Sequence, residues 1–228
     1  MIRGLPTRLR RLNGLMAFRL GRAAHTRPLC PNFGFSRGTP IDRYYIELFV
    51  EAHRSDIGGR VLEIGEDLYS RRVGGDRITQ QDILHVEQGH PGATIIGDLS
   101  KPGVLPQAAF DCIILTQTLH LIYDMAAAVQ EIHQALRPGG VALITVPGIS
   151  AVDRGEWKDN WYWSLTPEAM SRLLSDPFDA RKVEVGSYGN LFAATAFLHG
   201  AAVEEVPVAK LDLRDEAYPV TVFARAEA

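Results

Sequence analysis

Residues 60–65 read Arg-Val-Leu-Glu-Ile-Gly, a short apolar segment that ends in an acid, an isoleucine and a glycine. Two similar segments follow it, Ala-Thr-Ile-Ile-Gly-Asp-Leu-Ser at 93–100 and Phe-Asp-Cys-Ile-Ile-Leu-Thr-Gln-Thr-Leu-His at 110–120. Short apolar runs bounded by glycine or polar residues are typical of strands that are buried on both faces of a sheet. The segment at 60–65 therefore predicts the first strand of an α/β sheet whose strands end in small or acidic residues.

The rest of the chain extends this pattern to a doubly wound, mainly parallel sheet of seven strands with helices on both faces. Apolar runs predict strands at 61–64, 83–86, 94–96, 112–115, 141–146, 182–186 and 220–224. Helical periodicity predicts a helix that begins at 41 and closes before 58, a short helix at 67–72, and helices at 125–136, 167–174 and 191–202. Right-handed crossovers bring the carboxyl ends of parallel strands to one edge of the sheet, so we expect a ligand site there.

Charge divides the chain into a basic N-terminal arm at 1–40 and a domain at 41–228. The arm holds eight arginines and no acid, whereas all 27 acidic residues lie in the domain. Apolar residues recur in the arm at helical spacing, at Leu5, Leu9, Leu12, Met16 and Leu20. This pattern predicts a basic helix that packs on the domain, is loosely ordered, contacts a membrane surface or an acidic partner, or serves as an organelle transit peptide. Nucleic-acid binding is not favoured, because no aromatic residues alternate with the arginines.

Cysteine content and hydropathy favour a cytoplasmic protein. Cys30 and Cys112 form neither a disulfide framework nor a metal-ligand spacing, so no metal site is expected. No apolar run reaches the roughly 20 residues that cross a bilayer, and the N-terminus lacks the apolar core of a secretory signal.

Four segments together resemble the class I S-adenosylmethionine-dependent methyltransferases. They are the strand at 60–65, the Ile-Ile-Gly-Asp-Leu-Ser at 95–100, the strand and following turn at 110–124, and Ala-Leu-Arg-Pro-Gly-Gly-Val-Ala-Leu-Ile-Thr-Val-Pro-Gly at 135–148. The last segment is the most specific, since a Pro-Gly-Gly turn between an amphipathic helix and an apolar strand is a hallmark of that family. Residues 162–174 resemble its small-molecule branch, and the whole chain resembles, more weakly, methyltransferase-like proteins of bacterial glycan systems. The resemblance implies a Rossmann-like methyltransferase fold that binds S-adenosyl-L-methionine.

The resemblance assigns roles to residues at the strand ends. Gly65 would let the backbone approach the methionine part of the cofactor, and Glu63 would lie near its amino acid group. Glu87 would accept hydrogen bonds from the ribose hydroxyls, and Asp98 with the backbone of Leu99 would bind the adenine. The two residues after the fourth strand, Thr116 and Gln117, would line the pocket floor beneath the sulfonium.

The first turn departs from the family, because Glu66 and Asp67 follow Gly65 where further glycines are usual. Glu66 either offers its carboxylate to the cofactor's ammonium group or ribose, or marks a site that has lost the cofactor. An acid suits a sulfonium cation but repels the pyrophosphate of a dinucleotide. A nucleotide-cofactor oxidoreductase, which would also need a Tyr-x-x-x-Lys pair that the chain lacks, is therefore disfavoured. A non-catalytic binding or scaffold protein stays open as an alternative.

Methyl transfer to a hydroxyl group of a small molecule or glycan needs little beyond positioning and a base. His120 is the predicted base, because an unperturbed histidine titrates near neutral pH. The alternatives are Tyr123, Asp124, Asp153 and Glu156. Aromatic residues after the fifth strand form either a lid and stacking wall or ordinary packing; they are Trp157, Trp161, Tyr162 and Trp163. Arg43 and Tyr44 either face a ligand carboxylate or pack on the surface.

Overall fold

The computed structural model describes residues 25–228, so the helix predicted at 1–22 lies outside the described residues. These residues form the predicted sheet of seven strands. The strands are β1 (Gly59–Ile64), β2 (Ile78–His85), β3 (Ile95–Ile96), β4 (Phe110–Thr116), β5 (Leu136–Pro147), β6 (Val183–Tyr188) and β7 (Thr221–Glu227). Their order across the sheet is β3-β2-β1-β4-β5-β7-β6.

The sheet is mainly parallel, as predicted. β1 pairs in parallel with β2 and β4, β2 with β3, and β4 with β5. β7 runs antiparallel between β5 and β6. The strand order reverses on either side of β1, between β2 and β4, and a ligand site is expected at such a switch point.

Helices cover both faces of the sheet and enclose two cores. The helices are α1 (Ile41–Ala52), α2 (Met125–Ala135), α3 (Pro167–Leu174), α4 (Leu191–Leu198) and α5 (Val208–Leu211). One core contains residues of α2 and α3, and the other contains residues of α1, α4 and α5. Successive strand residues alternate between the two: Leu62 and Ile113 belong to the first, Val61 and Ile114 to the second. This alternation explains why the strands read as continuous apolar runs.

Most elements differ from their predicted bounds by one or more residues, and β5 begins five residues earlier than predicted, at Leu136. β2 begins at Ile78, because its polar first half is hydrogen-bonded: Asp82 accepts from Arg60 Nε at 2.8 Å and from Thr94 Oγ1 at 3.0 Å. The helix expected at 67–72 is a single π-helical turn at Ser70–Gly74 followed by a 3-10 turn at Gly75–Arg77. α4 stops at Leu198, since Gly200 adopts a positive φ of 67°.

Within residues 25–228, none of the helices has the length and apolar character needed to cross a bilayer.

Candidate functional site

A cavity of about 740 Å³ opens at the carboxyl edge of the sheet. Its floor comes from the ends of β1 and β2 and from the turns after β3 and β4. Two further segments close over it. We call residues 29–40 the strap, which contributes Phe33 and Phe35, and residues 157–163 the aromatic segment, which contributes Trp157, Trp161 and Tyr162.

Gly65 is the first residue after β1, and its backbone lines the cavity. Its φ of +86° belongs to the left-handed region, where side chains are strained. A Cβ added at Gly65 would meet no atom within 4 Å, so the space in front of this backbone is open. Gly65 N–H donates to Leu84 O of β2 at 2.9 Å, which fixes the turn to the neighbouring strand.

Glu63 faces the protein rather than the cavity. Its side chain is buried and accepts hydrogen bonds from the backbone N–H groups of Tyr69 (3.0 Å) and Ser70 (2.8 Å). Burial raises the pKa of the Glu63 carboxyl, and the hydrogen bonds from the turn oppose that rise. Glu63 therefore holds the turn after Gly65 in place and does not line the cavity as predicted.

Three other predicted cofactor residues also lie away from the cavity wall. Glu66 is exposed, and its neighbour Asp67 pairs with Arg71. Glu87 is exposed because β2 ends at His85, whose Nδ1 accepts from Glu87 N–H at 3.0 Å and turns the chain outward. Thr116 is the last residue of β4, and the residues after it line the cavity instead.

Asp98 and Leu99 lie in the cavity wall at the position the sequence predicts. Gly97 separates them from the end of β3, and Asp98 Oδ1 accepts from Ser100 N–H at 2.9 Å. This short turn fixes the carboxylate at the mouth of the cavity while Leu99 is buried beneath it.

His120, the predicted base, lies in the cavity wall, where burial changes its protonation. Its side chain is 1% exposed and makes an edge contact with Trp161, with ring centroids 4.4 Å apart. Among the described residues, neither ring nitrogen has a hydrogen-bond partner. Burial lowers the pKa of His120 to about 3, so the ring is neutral at physiological pH.

Gln117 presents a second unpartnered polar group in the same wall. It has a φ of +46°, uncommon for a residue with a side chain, and its N–H donates to Thr145 O of β5 at 2.9 Å. Its side-chain Nε2 is buried without a hydrogen-bond partner in the described part of the chain. A buried donor without a partner costs free energy, and backbone strain of this kind is concentrated at functional sites.

Asp42 is a cavity residue that the sequence analysis does not identify. It lies in the first turn of α1, and the part of its surface that remains open faces the cavity. Burial raises the pKa of its carboxyl to about 6, while the N–H and the charge of Arg43 oppose the rise. An acid at this position resembles an ordinary first-turn acid of a helix, so no sequence signal separates it from a surface residue.

The side chains of Arg43 and Tyr44 contact other protein groups and do not line the cavity. The guanidinium carbon of Arg43 lies 5.9 Å from the ring centroids of both Phe35 and Tyr69. Tyr44 Oη donates to Asp212 at 2.6 Å. Both side chains therefore have structural contacts in place of a ligand carboxylate.

The strap is held over the cavity by residues that lie late in the chain. Leu29 N–H donates to His199 O at 2.7 Å, and Val203 N–H donates to Thr39 O at 2.8 Å. Phe33 stacks on Trp161 of the aromatic segment, with centroids 5.7 Å apart and planes within 10°. The two segments thus meet ring against ring above the sheet edge.

The charges in the cavity favour a cationic ligand. In the described residues, its charged lining consists of the carboxylates of Asp42, Asp98 and Asp124 and the ammonium group of Lys101. A phosphate-rich ligand would meet net repulsion here, whereas a sulfonium or ammonium group would be attracted.

Comparisons with known proteins identify the family. A family model described as a methyltransferase domain matches residues 42–180, more than half of the chain. A probable S-adenosylmethionine-dependent methyltransferase of Mycolicibacterium smegmatis is 35% identical over 106 residues, which cover 42% of this chain and 40% of that protein. The alignment thus spans less than half of that curated relative.

Solved structures show the same fold at low sequence identity. An S-adenosylmethionine-dependent methyltransferase from Mesorhizobium loti aligns with a TM-score of 0.53 and 17% identity, covering 82% of this chain and 98% of that chain. The [4+2]-cyclase SpnF aligns with a TM-score of 0.54 and 17% identity, covering 95% and 93%. With the strand order, the carboxyl-edge cavity and the family match taken together, the chain belongs to the class I S-adenosylmethionine-dependent methyltransferases.

Proposed function

We propose that the protein transfers a methyl group from S-adenosyl-L-methionine to a hydroxyl oxygen of a small molecule or glycan. One observation carries the proposal: the unpartnered, buried ring of His120 lies in the same cavity as Gly65 and Asp98. A neutral imidazole in this position accepts a hydrogen bond from an acceptor hydroxyl.

The residues present in the cavity fit the cofactor. The open space at Gly65 admits the methionine part close to the backbone, and Asp98 with the Leu99 backbone lies where the adenine amino group would be bound. Asp42 supplies the negative charge that the sequence analysis assigns to Glu66. A cavity of about 740 Å³ lies in the upper part of the roughly 300–1,000 Å³ range of ligand pockets. It therefore has room for an acceptor beside the cofactor.

When bound, the cofactor would supply an electrophilic methyl carbon for the acceptor oxygen, and its sulfur would retain the electron pair of the carbon–sulfur bond. His120 receives the hydroxyl proton and passes it to water. Its lowered pKa makes it a weak base towards a free hydroxyl, but an oxygen that is gaining a methyl group becomes strongly acidic and gives up its proton readily. The strap and the aromatic segment exclude bulk water from this step.

Calorimetry with S-adenosylhomocysteine tests cofactor binding without turnover. Asp98→Ala and Gly65→Arg should each weaken binding at least tenfold, because one removes an adenine contact and the other fills the open space at the turn. Glu87→Ala is the matched control, since Glu87 is an acid near the same edge that lies outside the cavity wall; its affinity should stay within about twofold of wild type.

The outcomes separate the competing functions. Folded wild-type protein that does not bind S-adenosylhomocysteine contradicts the methyltransferase proposal. Binding without transfer of a labelled methyl group to any hydroxyl compound favours the alternative of a non-catalytic binding or scaffold protein. Preferential binding of a nicotinamide dinucleotide would instead support the oxidoreductase alternative, which the acidic cavity disfavours.

We also propose that the arginine-rich arm contacts an anionic membrane surface or an acidic partner, and that the protein acts in the cytoplasm. The support is the sequence asymmetry of eight arginines without an acid in residues 1–40. Co-sedimentation with vesicles of anionic lipid, compared with neutral vesicles and at two salt concentrations, tests the membrane contact. Equal recovery with neutral vesicles at both salt concentrations would contradict it.

A further inference from the structure

We propose that the acceptor of this enzyme is a planar aromatic alcohol, a phenol, whose ring lies against the aromatic segment and whose hydroxyl group meets His120 and Gln117. The inference rests on the proposed methyltransferase function and narrows its substrate class. It excludes the sugar hydroxyl that the sequence analysis leaves open.

The first support is the composition of the cavity roof. Five aromatic side chains from two separate segments converge on it: Phe33, Phe35, Trp157, Trp161 and Tyr162. The near-parallel stack of Phe33 on Trp161 and the edge contact of Trp161 with His120 fix the orientation of the central indole ring. Flat aromatic surfaces held in this way favour a flat aromatic ligand in offset-stacked or edge contact.

The second support is the environment of His120. Burial is the one cause of its lowered pKa, so no charged or hydrogen-bonding side chain contributes to the shift. The Tyr162 N–H donates to the backbone carbonyl of His120 at 3.2 Å, and also to that of Asn160 at 3.0 Å, rather than to the His120 ring. The ring of His120 is therefore a neutral polar group that packs against the aromatic side chain of Trp161.

A sugar fits this environment poorly. It carries a hydroxyl on nearly every carbon, and each hydroxyl placed against the apolar roof loses its water without gaining a partner. A phenol has one hydroxyl on an otherwise apolar ring and leaves none unsatisfied.

The third support is the complementarity of the two unpartnered groups. A neutral His120 nitrogen accepts a hydrogen bond, and the Gln117 Nε2 group donates one. The two residues lie three positions apart in the turn after β4, and both line the cavity. A hydroxyl group can donate to His120 and accept from Gln117, while its second lone pair stays free to attack the methyl carbon.

The test is calorimetric binding in the presence of saturating S-adenosylhomocysteine, with 2-naphthol, decahydro-2-naphthol and methyl α-glucoside as probes. The first two share a two-ring framework and a hydroxyl group but differ in planarity. We expect 2-naphthol to bind at least tenfold more tightly than the saturated alcohol and more tightly still than the glucoside. Equal or tighter binding of either non-aromatic compound overturns the inference, as does the absence of 2-naphthol binding.

Two variants connect this preference to the roof. Trp161→Leu and Trp157→Leu should each reduce the preference for 2-naphthol over decahydro-2-naphthol at least fivefold, while S-adenosylhomocysteine binds as in wild type. Phe192→Leu is the control. Phe192 is an aromatic residue that packs against the core formed with α1, α4 and α5, and it lies outside the cavity. The inference is overturned if the preference for 2-naphthol is unchanged in both tryptophan variants. If only one of the two variants folds, an unchanged preference in that variant overturns it.

The failure of this inference differs from failure of the proposed function. If S-adenosylhomocysteine does not bind to folded wild-type protein, the methyltransferase proposal fails. If it binds and the glucoside is the better acceptor ligand, only the assignment of a phenol fails.

Discussion

At the scale of single residues, Asp42 combines a cost in stability with a role in binding. Because burial raises its pKa from an ordinary value near 3.8 to about 6, the folded protein favours the protonated acid. Its contribution to stability is complete below the unfolded-state pKa and is lost as the pH rises through about 6. At neutral pH the ionised carboxylate therefore destabilises the protein unless a cation neutralises it.

We predict that Asp42→Asn stabilises the cofactor-free protein at pH 8, by up to about 3 kcal/mol, and has little effect at pH 4. The same substitution should weaken S-adenosylhomocysteine binding, because it removes negative charge from the cavity. Urea unfolding at the two pH values and calorimetry measure both effects. Glu66→Gln, which changes an exposed acid in the turn after β1, serves as the control; the Asp42 assignment fails if this variant loses more affinity.

The contribution of His120 to stability depends on pH in the opposite sense to that of Asp42. Its pKa falls from about 6.5 to about 3 on folding, so its contribution to stability is present above pH 6.5 and is lost as the pH falls towards 3. The substitution His120→Phe keeps the ring contact with Trp161 but removes the titrating group. We predict that, as the pH is lowered from 7 to 4, the free energy of unfolding of wild type falls by about 2–3 kcal/mol more than that of this variant.

In turnover, His120→Phe should lower kcat by roughly a hundredfold or more and leave the affinity for S-adenosylhomocysteine unchanged. Methyl-transfer assays with a phenol acceptor, together with calorimetry, measure the two quantities. A variant with wild-type kcat would show that His120 does not accept the proton.

At the scale of elements, the strap depends on close backbone contact with the turn after α4. A Cβ at Gly200 would collide with the carbonyl oxygen of Cys30, and Gly200 has a φ of +67°. We predict that Gly200→Ala displaces the strap and weakens cofactor binding at least tenfold, as measured by calorimetry.

Gly139→Ala separates this displacement from backbone strain. Gly139 has a comparable φ of +80°, but a Cβ there would meet no atom within 4 Å. It lies in the Pro-Gly-Gly segment near the start of β5, at the opposite end of that strand from the cavity. Its variant should lose stability, by about 1 kcal/mol, and keep its affinity. Equal loss of affinity in the two variants would contradict the role of the strap.

At the scale of the whole molecule, the ligand and the fold are linked because the cavity is lined by the strap, the aromatic segment and the strand ends of the sheet. A ligand present at 100 times its Kd stabilises a protein by about 2.7 kcal/mol. For a chain of this size we predict that saturating S-adenosylhomocysteine raises Tm by about 5–10 °C. Differential scanning fluorimetry measures the shift, and adenosine alone, which lacks the amino acid part, should raise Tm less.

The strands of the whole molecule follow from the sequence more directly than the positions of the cavity residues do. The seven strands follow from apolar runs that alternate with helices, and the strand order confirms the sheet. The cavity opens at the carboxyl ends of these strands, where the ligand site is predicted. Gly65, Asp98, Leu99, Gln117 and His120 lie in the cavity wall because each is within four residues of the carboxyl end of a strand. Glu87 and Glu66 illustrate the limit: two residues beyond a strand end, as Asp98 also is, the direction of the chain depends on local hydrogen bonds such as that of His85.

Asp42 could not be predicted for a related reason. Its position depends on how α1 packs on the sheet, and packing of that kind is a property of the assembled fold rather than of a local pattern. The lowered pKa of His120 likewise depends on Trp161, which lies forty-one residues later in the chain.

The contacts that hold the strap have a consequence for biosynthesis. Residues 29–40 leave the ribosome early, but their partners at His199, Gly200 and Val203 are among the last parts of the domain to be made. Domains are synthesised from the N-terminus, so a nascent chain that already contains Gly65 and Asp98 still lacks the segment that holds the strap in place. The strap can therefore take its position over the cavity only after residues 199–203 have been made.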